Sequence, residues 1–195
     1  MINVAVDEMH LSGPAAALPL FEETLVRVEK FAFGVHRWRW VNHLSACLAE
    51  ALLGSGDLGA ALLHAERGIE QARATGSMKY LGRCLALRGE IALREGQSAA
   101  AQSDLAEALR IGRQLGYPTL IWQAAHRLGM ALGDEATRSR PARAKAEQAL
   151  DMVQLAADTI QGVASRLPDP ALAASLLAWS RVQAVHDDLD RLRRG

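Results

Sequence analysis

EALLGSGDLGAALLHAERGIEQARATG (residues 50–76) and EIALREGQSAAAQSDLAEALRIGRQLG (residues 90–116) align without a gap at an offset of 40. The offset pairs Glu50 with Glu90, Gly56 with Gly96, Ala61 with Ala101, Gly68 with Ala108 and Gly76 with Gly116. It extends downstream, where Gly89 in CLALRGEIAL meets Gly129 in AAHRLGMAL. A fixed long period of this kind marks stacked repeats, each a supersecondary unit that buries its apolar face against its neighbours.

The punctuation gives the repeat its secondary structure. Gly54, Gly56 and Asp57 make one break, Gly76 and Ser77 the next, then Gly96 and Ser98, then Gly116, Tyr117 and Pro118. Glycine in the left-handed conformation ends a helix. A Ser or Asp N-cap, or Pro in the first turn, starts the following one. Helices of roughly 15–20 residues fit between the breaks. Alanine, leucine, arginine and glutamate dominate them, all good helix formers. The expectation is an all-α chain of antiparallel helix pairs.

These residues resemble the tetratricopeptide repeat family. That motif places a small residue late in the first helix, here Ala49, Gly89 and Gly129. A glycine-led turn follows, then two small residues seven apart in the second helix. Here those are Ala61 with Gly68, and Ala101 with Ala108. The resemblance implies a right-handed TPR-like α-solenoid. The period of 40 departs from the family's ~34, and a HEAT-like pairing of helices remains open.

A narrower resemblance is carried by HRWRWVNHLSACLAEALLGSGDLGAALLHAERGIEQARATG, KYLGRCLALRGEIALREGQ and TIQGVASRLPDPALAASLLAW. Over roughly residues 34–190 the chain is similar to the helical region C-terminal to the ATPase of LuxR/MalT-type transcription regulators and of cyclase-linked signalling proteins. It contains no GxxxxGK[ST] phosphate loop, so the relatives' ATPase and cyclase activities are not carried over.

Outward from the matched repeats, the expected organisation is one helical-repeat domain over 1–195. It comprises a degraded repeat (1–34), repeats at 35–76, 77–116 and 117–165, and a capping helix with its tail (166–195). Ala17, Phe21 and Thr24 carry second-helix spacing, while MINVAVDEMHLS is short for a first helix. The chain therefore reads as the C-terminal end of a longer solenoid. Its edge near Ile2, Val4 and Val6 is a candidate interface with an upstream ATPase or cyclase domain, or with a second copy. GDEATRSRPARAK (133–145) reads as a longer loop, with Pro141 at the first turn of the next helix. The small positions of that helix are Ala144, or Ala149 with Ala156. Asp169 is a candidate N-cap for a single last helix, with Trp179 plugging the end of the stack.

The family's groove positions are carried by first helices. The resemblance places His43 and Glu50, then Arg83, Glu90 and Arg94, then Gln123 and His126 along a concave surface. Such a mixed surface suits a charged peptide or a partner domain, and guanidinium groups clamp carboxylates well. The competing reading is a solvated face on which Glu50 and Glu90 pair with neighbouring basic residues.

In HRWRW (36–40), side chains two apart on a helix point to nearly opposite sides. One of Trp38 and Trp40 is expected to pack near Phe21 or Phe31, and the other to edge the groove. A base-stacking platform is disfavoured, because Lys plus Arg and Asp plus Glu both number 22 and no net positive charge recruits phosphate. Nucleic acid and membrane are therefore not expected partners.

Cys47 and Cys84 are the only cysteines, too few for a zinc set. Cys47 and His43 stand four apart on one face, a conceivable nucleophile pair, but no oxyanion glycine loop or orienting acid accompanies them. His64, His126 and His186 show no metal spacing. No catalytic residue, cofactor or metal is expected. No run of about 18 apolar residues occurs, and the acidic start MINVAVDEMH is unlike a secretory signal. The expectation is a cytoplasmic interaction module in bacterial signalling or transcription regulation. The alternative is a small-ligand sensor, favoured by a pocket closed by Trp38, Tyr80 and Trp122.

Overall fold

The computed structural model describes residues 1–31, 37–138 and 142–194. Among them are ten helices and no strand, so the chain is all-α. It divides into two compact units, residues 1–91 and 92–195.

The first unit holds α1 (Ile2–Leu11), α2 (Pro14–Phe31), α3 (Arg37–Ser55), α4 (Leu58–Thr75) and most of α5 (Met78–Arg94). α1 packs on α2, α2 on α3, and α3 on α4. One apolar cluster joins Ile2, Ala5 and Met9 to Ala17 and Phe21 and to Leu44, Cys47, Leu48 and Ala51. A second joins Ala49 and Leu53 to Ala61 and Ala65 and to Leu87 and Ile91. Ile2 is thus part of the core, and Val6 packs partly buried against it. Of the three residues expected at an open edge, only Val4 is exposed. MINVAVDEMHLS does form a first helix, short but complete enough to cover α2.

The second unit holds the end of α5, then α6 (Ser98–Leu115), α7 (Pro118–Arg138), α8 (Ala142–Ala164), α9 (Pro170–Leu177) and α10 (Ser180–Arg194). α7 packs on α6 and α8, and α10 closes over α8.

The turns repeat one piece of chemistry. Gly56, Gly76, Gly96 and Gly116 all take positive φ. At each, the next residue donates to a carbonyl five back: Asp57 to Leu52, Ser77 to Ala72, Gln97 to Ala92 and Tyr117 to Gly112, at 2.8–3.0 Å. The glycine's own N–H reaches the carbonyl three back. These are Schellman closures, which satisfy carbonyls a helix end otherwise leaves open. Asp57 then accepts from the Ala60 N–H at 2.9 Å. The start of α6 differs from expectation: the N-cap is Gln97, with no side-chain bond, and Ser98 is the first helical residue.

Alternate helices bury the same spacing of i, i+4 and i+7. In α2 the buried residues are Ala17, Phe21 and Thr24, and in α4 they are Ala61, Ala65 and Gly68. In α6 they are Ala101, Leu105 and Ala108, and in α8 Ala149, Val153 and Ala156. Ala144 is exposed, so the small pair of α8 is Ala149 with Ala156. The spacing keeps one narrow stripe toward the core, and the small members let neighbouring backbones approach. A Cβ added to Gly68 would lie 2.5 Å from Cys84 Sγ. One added to Gly129 would lie 2.6 Å from Val153 Cγ2 and 2.9 Å from the Ala149 carbonyl.

Two expectations fail at the C-terminal end. The segment after Gly133 is helix as far as Arg138, and within it Glu135 pairs with Lys145 and accepts from Gln102 at 2.7 Å. Pro141 lies outside the described residues. The last helix is two: Asp169 caps α9 by accepting from the Ala171 N–H at 2.8 Å, but α9 ends at Leu177. The Trp179 carbonyl then accepts from Val182 and Gln183 to start α10. Placed at a helix start, Trp179 is 57% exposed and plugs nothing.

Candidate functional site

Of the polar residues that the sequence reading singled out in the first unit, His43, Glu50 and Arg83 converge. On α3, His43, Cys47 and Glu50 stand at i, i+4 and i+7 and share a face. Tyr80 and Arg83 meet them from α5. The His43 and Tyr80 rings lie 5.6 Å apart, tilted by 32°. Arg83 donates from Nη2 to Glu50 Oε2 at 3.2 Å and also lies 3.9 Å from Cys47 Sγ. Both members of the ion pair are largely covered, with 21% of the Arg83 side chain and 17% of the Glu50 side chain exposed. The charges therefore interact in less screened surroundings than a surface pair.

Beside the pair is a hollow of about 320 Å³ walled by Arg39, Trp40, His43 and Tyr80. Burial lowers the affinity of His43 for a proton, and the cationic Arg83 and Lys79 lower it further. The ring is thus held toward its neutral form. Burial raises the Cys47 thiol above its usual range, against the opposing pull of Arg83. Burial pushes Cys84 up to about 12. Protonated, covered thiols are poor nucleophiles.

Of the two tryptophans, one was expected in the core near Phe21 or Phe31 and the other at the groove edge; Trp40 lines the hollow, and the Phe31 side chain lies outside those described. Trp38 is 40% exposed and Trp40 52%. Neither takes a core place beside Phe21, whose ring is enclosed by the α1–α3 cluster. Glu90 lies two turns along α5 from Arg83 and is half-buried. An unanticipated anchor is Asn42, fully buried, whose amide donates to Thr75 Oγ1 at 3.0 Å and Ser77 Oγ at 3.1 Å. It ties α3 to the turn between α4 and α5.

In the second unit, Arg94 ends α5 in an exposed position. Gln123 and His126 share a face of α7. His126 Nε2 lies 2.7 Å from Asp188 Oδ2 of α10, and Arg191 also pairs with that carboxylate. Asp188 was invisible to sequence reading, since 62 residues separate it from His126. Trp122 is buried in the core of this unit. Among the described residues no group of His, Cys, Asp or Glu could hold a metal ion, and no helix is long and apolar enough to cross a membrane.

Fold and site define an all-α chain whose glycine-closed helices bury a recurrent small-residue stripe and whose first unit carries a covered Glu50–Arg83 ion pair. No protein-family model and no curated protein matches the chain. Among solved structures, it is similar in fold to BtubC (BKLC) from P. vanneervenii, with a TM-score of 0.62 and 17% identity. The likeness covers 99% of this chain and 78% of that one.

Proposed function

We propose that this chain is a tetratricopeptide-like solenoid that serves, without catalysis, as a regulatory interaction module. It receives a peptide or partner domain on the polar face of its first helices. The observation that carries the reading is the covered Glu50–Arg83 pair, which holds α3 and α5 side by side next to an open aromatic hollow. The recurrent stripe on α2, α4, α6 and α8 supports the solenoid. The place of action proposed is the cytoplasm, with an upstream ATPase or cyclase domain among the candidate partners.

A second reading, a small-ligand sensor, is favoured by the hollow itself. Its walls do not include Trp122, and Trp40 leaves it broad at the surface, which suits a partner's side chain better than an enclosed small molecule.

The test is affinity capture with the intact chain, followed by calorimetry with the purified partner. Arg83→Glu places two carboxylates together and is expected to weaken binding at least tenfold while helicity is retained. Unchanged affinity would remove this face from the interaction. Saturable heat from a small metabolite, with no protein partner, would favour the sensor.

A further inference from the structure

The hollow at the start of α3 has a chemistry more specific than a generic polar face. Its walls supply one guanidinium, two aromatic rings and one imidazole, from Arg39, Trp40, Tyr80 and His43. Trp, Tyr and Arg are the side chains that most often anchor protein interfaces. Aromatic hollows commonly attract cations through the faces of their rings. This one does not suit a cation. Arg39 is in its wall, and His43 beside it is held toward its neutral form by burial first, with the cationic Arg83 and Lys79 acting in the same direction. Glu50 offsets Arg83 from the side of Cys47, but its carboxylate is engaged by that pair.

Size narrows the occupant. About 320 Å³ lies at the bottom of the range of roughly 300–1,000 Å³ for small-molecule pockets, which usually enclose most of their ligand. With Trp40 half in solvent, the hollow can take one side chain of a longer chain that continues across the surface.

We propose that this hollow is a subsite for an acidic side chain of a peptide segment, whose carboxylate pairs with Arg39 while adjoining planar groups lie on Trp40 and Tyr80. The inference rests on the interaction-module reading and names the partner's chemistry. Fork-shaped guanidinium and carboxylate match in a bidentate geometry, and the rings exclude water from one side of that pair.

The test uses the intact chain and an array of fluorescein-labelled nine-residue peptides. The array varies Glu and Asp, their Gln and Asn counterparts, and Lys, at about 0.15 M salt. Anisotropy is expected to show saturable binding of acidic members, about tenfold or more tighter than their amide counterparts. Arg39→Glu and Tyr80→Ala are each expected to lower that affinity at least tenfold with an unchanged circular dichroism spectrum. Binding of amide and acidic peptides alike overturns the subsite, as does binding indifferent to both variants. Either result leaves the interaction module standing. Equal binding of an oligo-dT of matched charge also overturns it, because the attraction would then be for polyanions rather than peptides. Absence of binding by every array member and by the captured partner would defeat the module reading itself.

Discussion

Gly68 in α4 and Gly129 in α7 sit at close helix contacts, one in each unit, and differ in what presses on them. Gly68 faces Cys84 Sγ, a side-chain end that can rotate, whereas Gly129 faces the Ala149 carbonyl and the Val153 backbone nitrogen as well as Val153 Cγ2. The first contact can yield by moving a thiol. The second yields only if α7 and α8 separate. Small residues at the first-helix and second-helix contact positions therefore carry unequal demands, decided by whether the neighbour is side chain or main chain.

The largest effect should come from Gly129→Ala. The added methyl meets main chain, so overpacking of roughly 1–3 kcal/mol should outweigh the helix-propensity gain of about 0.5–1 kcal/mol. A lowered midpoint in denaturant unfolding checks this. The same substitution at Gly68 should change stability by less than about 1 kcal/mol, since propensity and a rotated Cys84 offset one another. A larger loss at Gly68 than at Gly129 would reverse the comparison. Glu50→Gln comes next, costing about 1 kcal/mol by leaving Arg83 covered with a weaker partner. Arg83→Met in the same background should recover part of that loss, read as coupling in a double-mutant cycle.

The smallest effect is in pH. His43 has a folded-state proton affinity below its ordinary value, so the unfolded chain protonates first as pH falls. Its contribution is present above the ordinary histidine range and is lost as pH falls through the lower folded value. His43→Gln should therefore reduce the drop in unfolding midpoint between about pH 7.5 and about pH 5. His64 is shifted the same way by burial and Arg67, so some of the drop should remain.

Features set by local chemistry were readable before any coordinates. Gly56, Gly76, Gly96 and Gly116 ended helices because a left-handed residue costs glycine little. Ala61, Gly68, Ala101 and Ala108 were found because small residues recurred with the offset. Features set by tertiary placement were not readable. One of Trp38 and Trp40 was expected in the core and Trp179 at the end of the stack, yet all three lie at or near helix starts and are 40–57% exposed. Ser98 lost the N-cap to Gln97 because the Schellman closure fixes where the chain turns. The His126–Asp188 pair depends on α10 folding back over the preceding helices, for which no sequence spacing exists. Of the polar face, His43, Glu50 and Arg83 were pointed to only by the family resemblance, whereas the Arg39 wall and the Asn42 anchor were hidden by their neighbours in HRWRWVNH.

The central claim is that a narrow stripe of small buried residues sets the helix spacing. Two neighbouring variants in α6 test it most directly by equilibrium denaturation: Ala101→Leu, fully buried in the stripe, and Ala100→Leu, one residue away and exposed. Ala101→Leu should lose about 1–3 kcal/mol, while Ala100→Leu should stay within about 0.5 kcal/mol of the parent. Equal unfolding midpoints for the two variants would contradict the account.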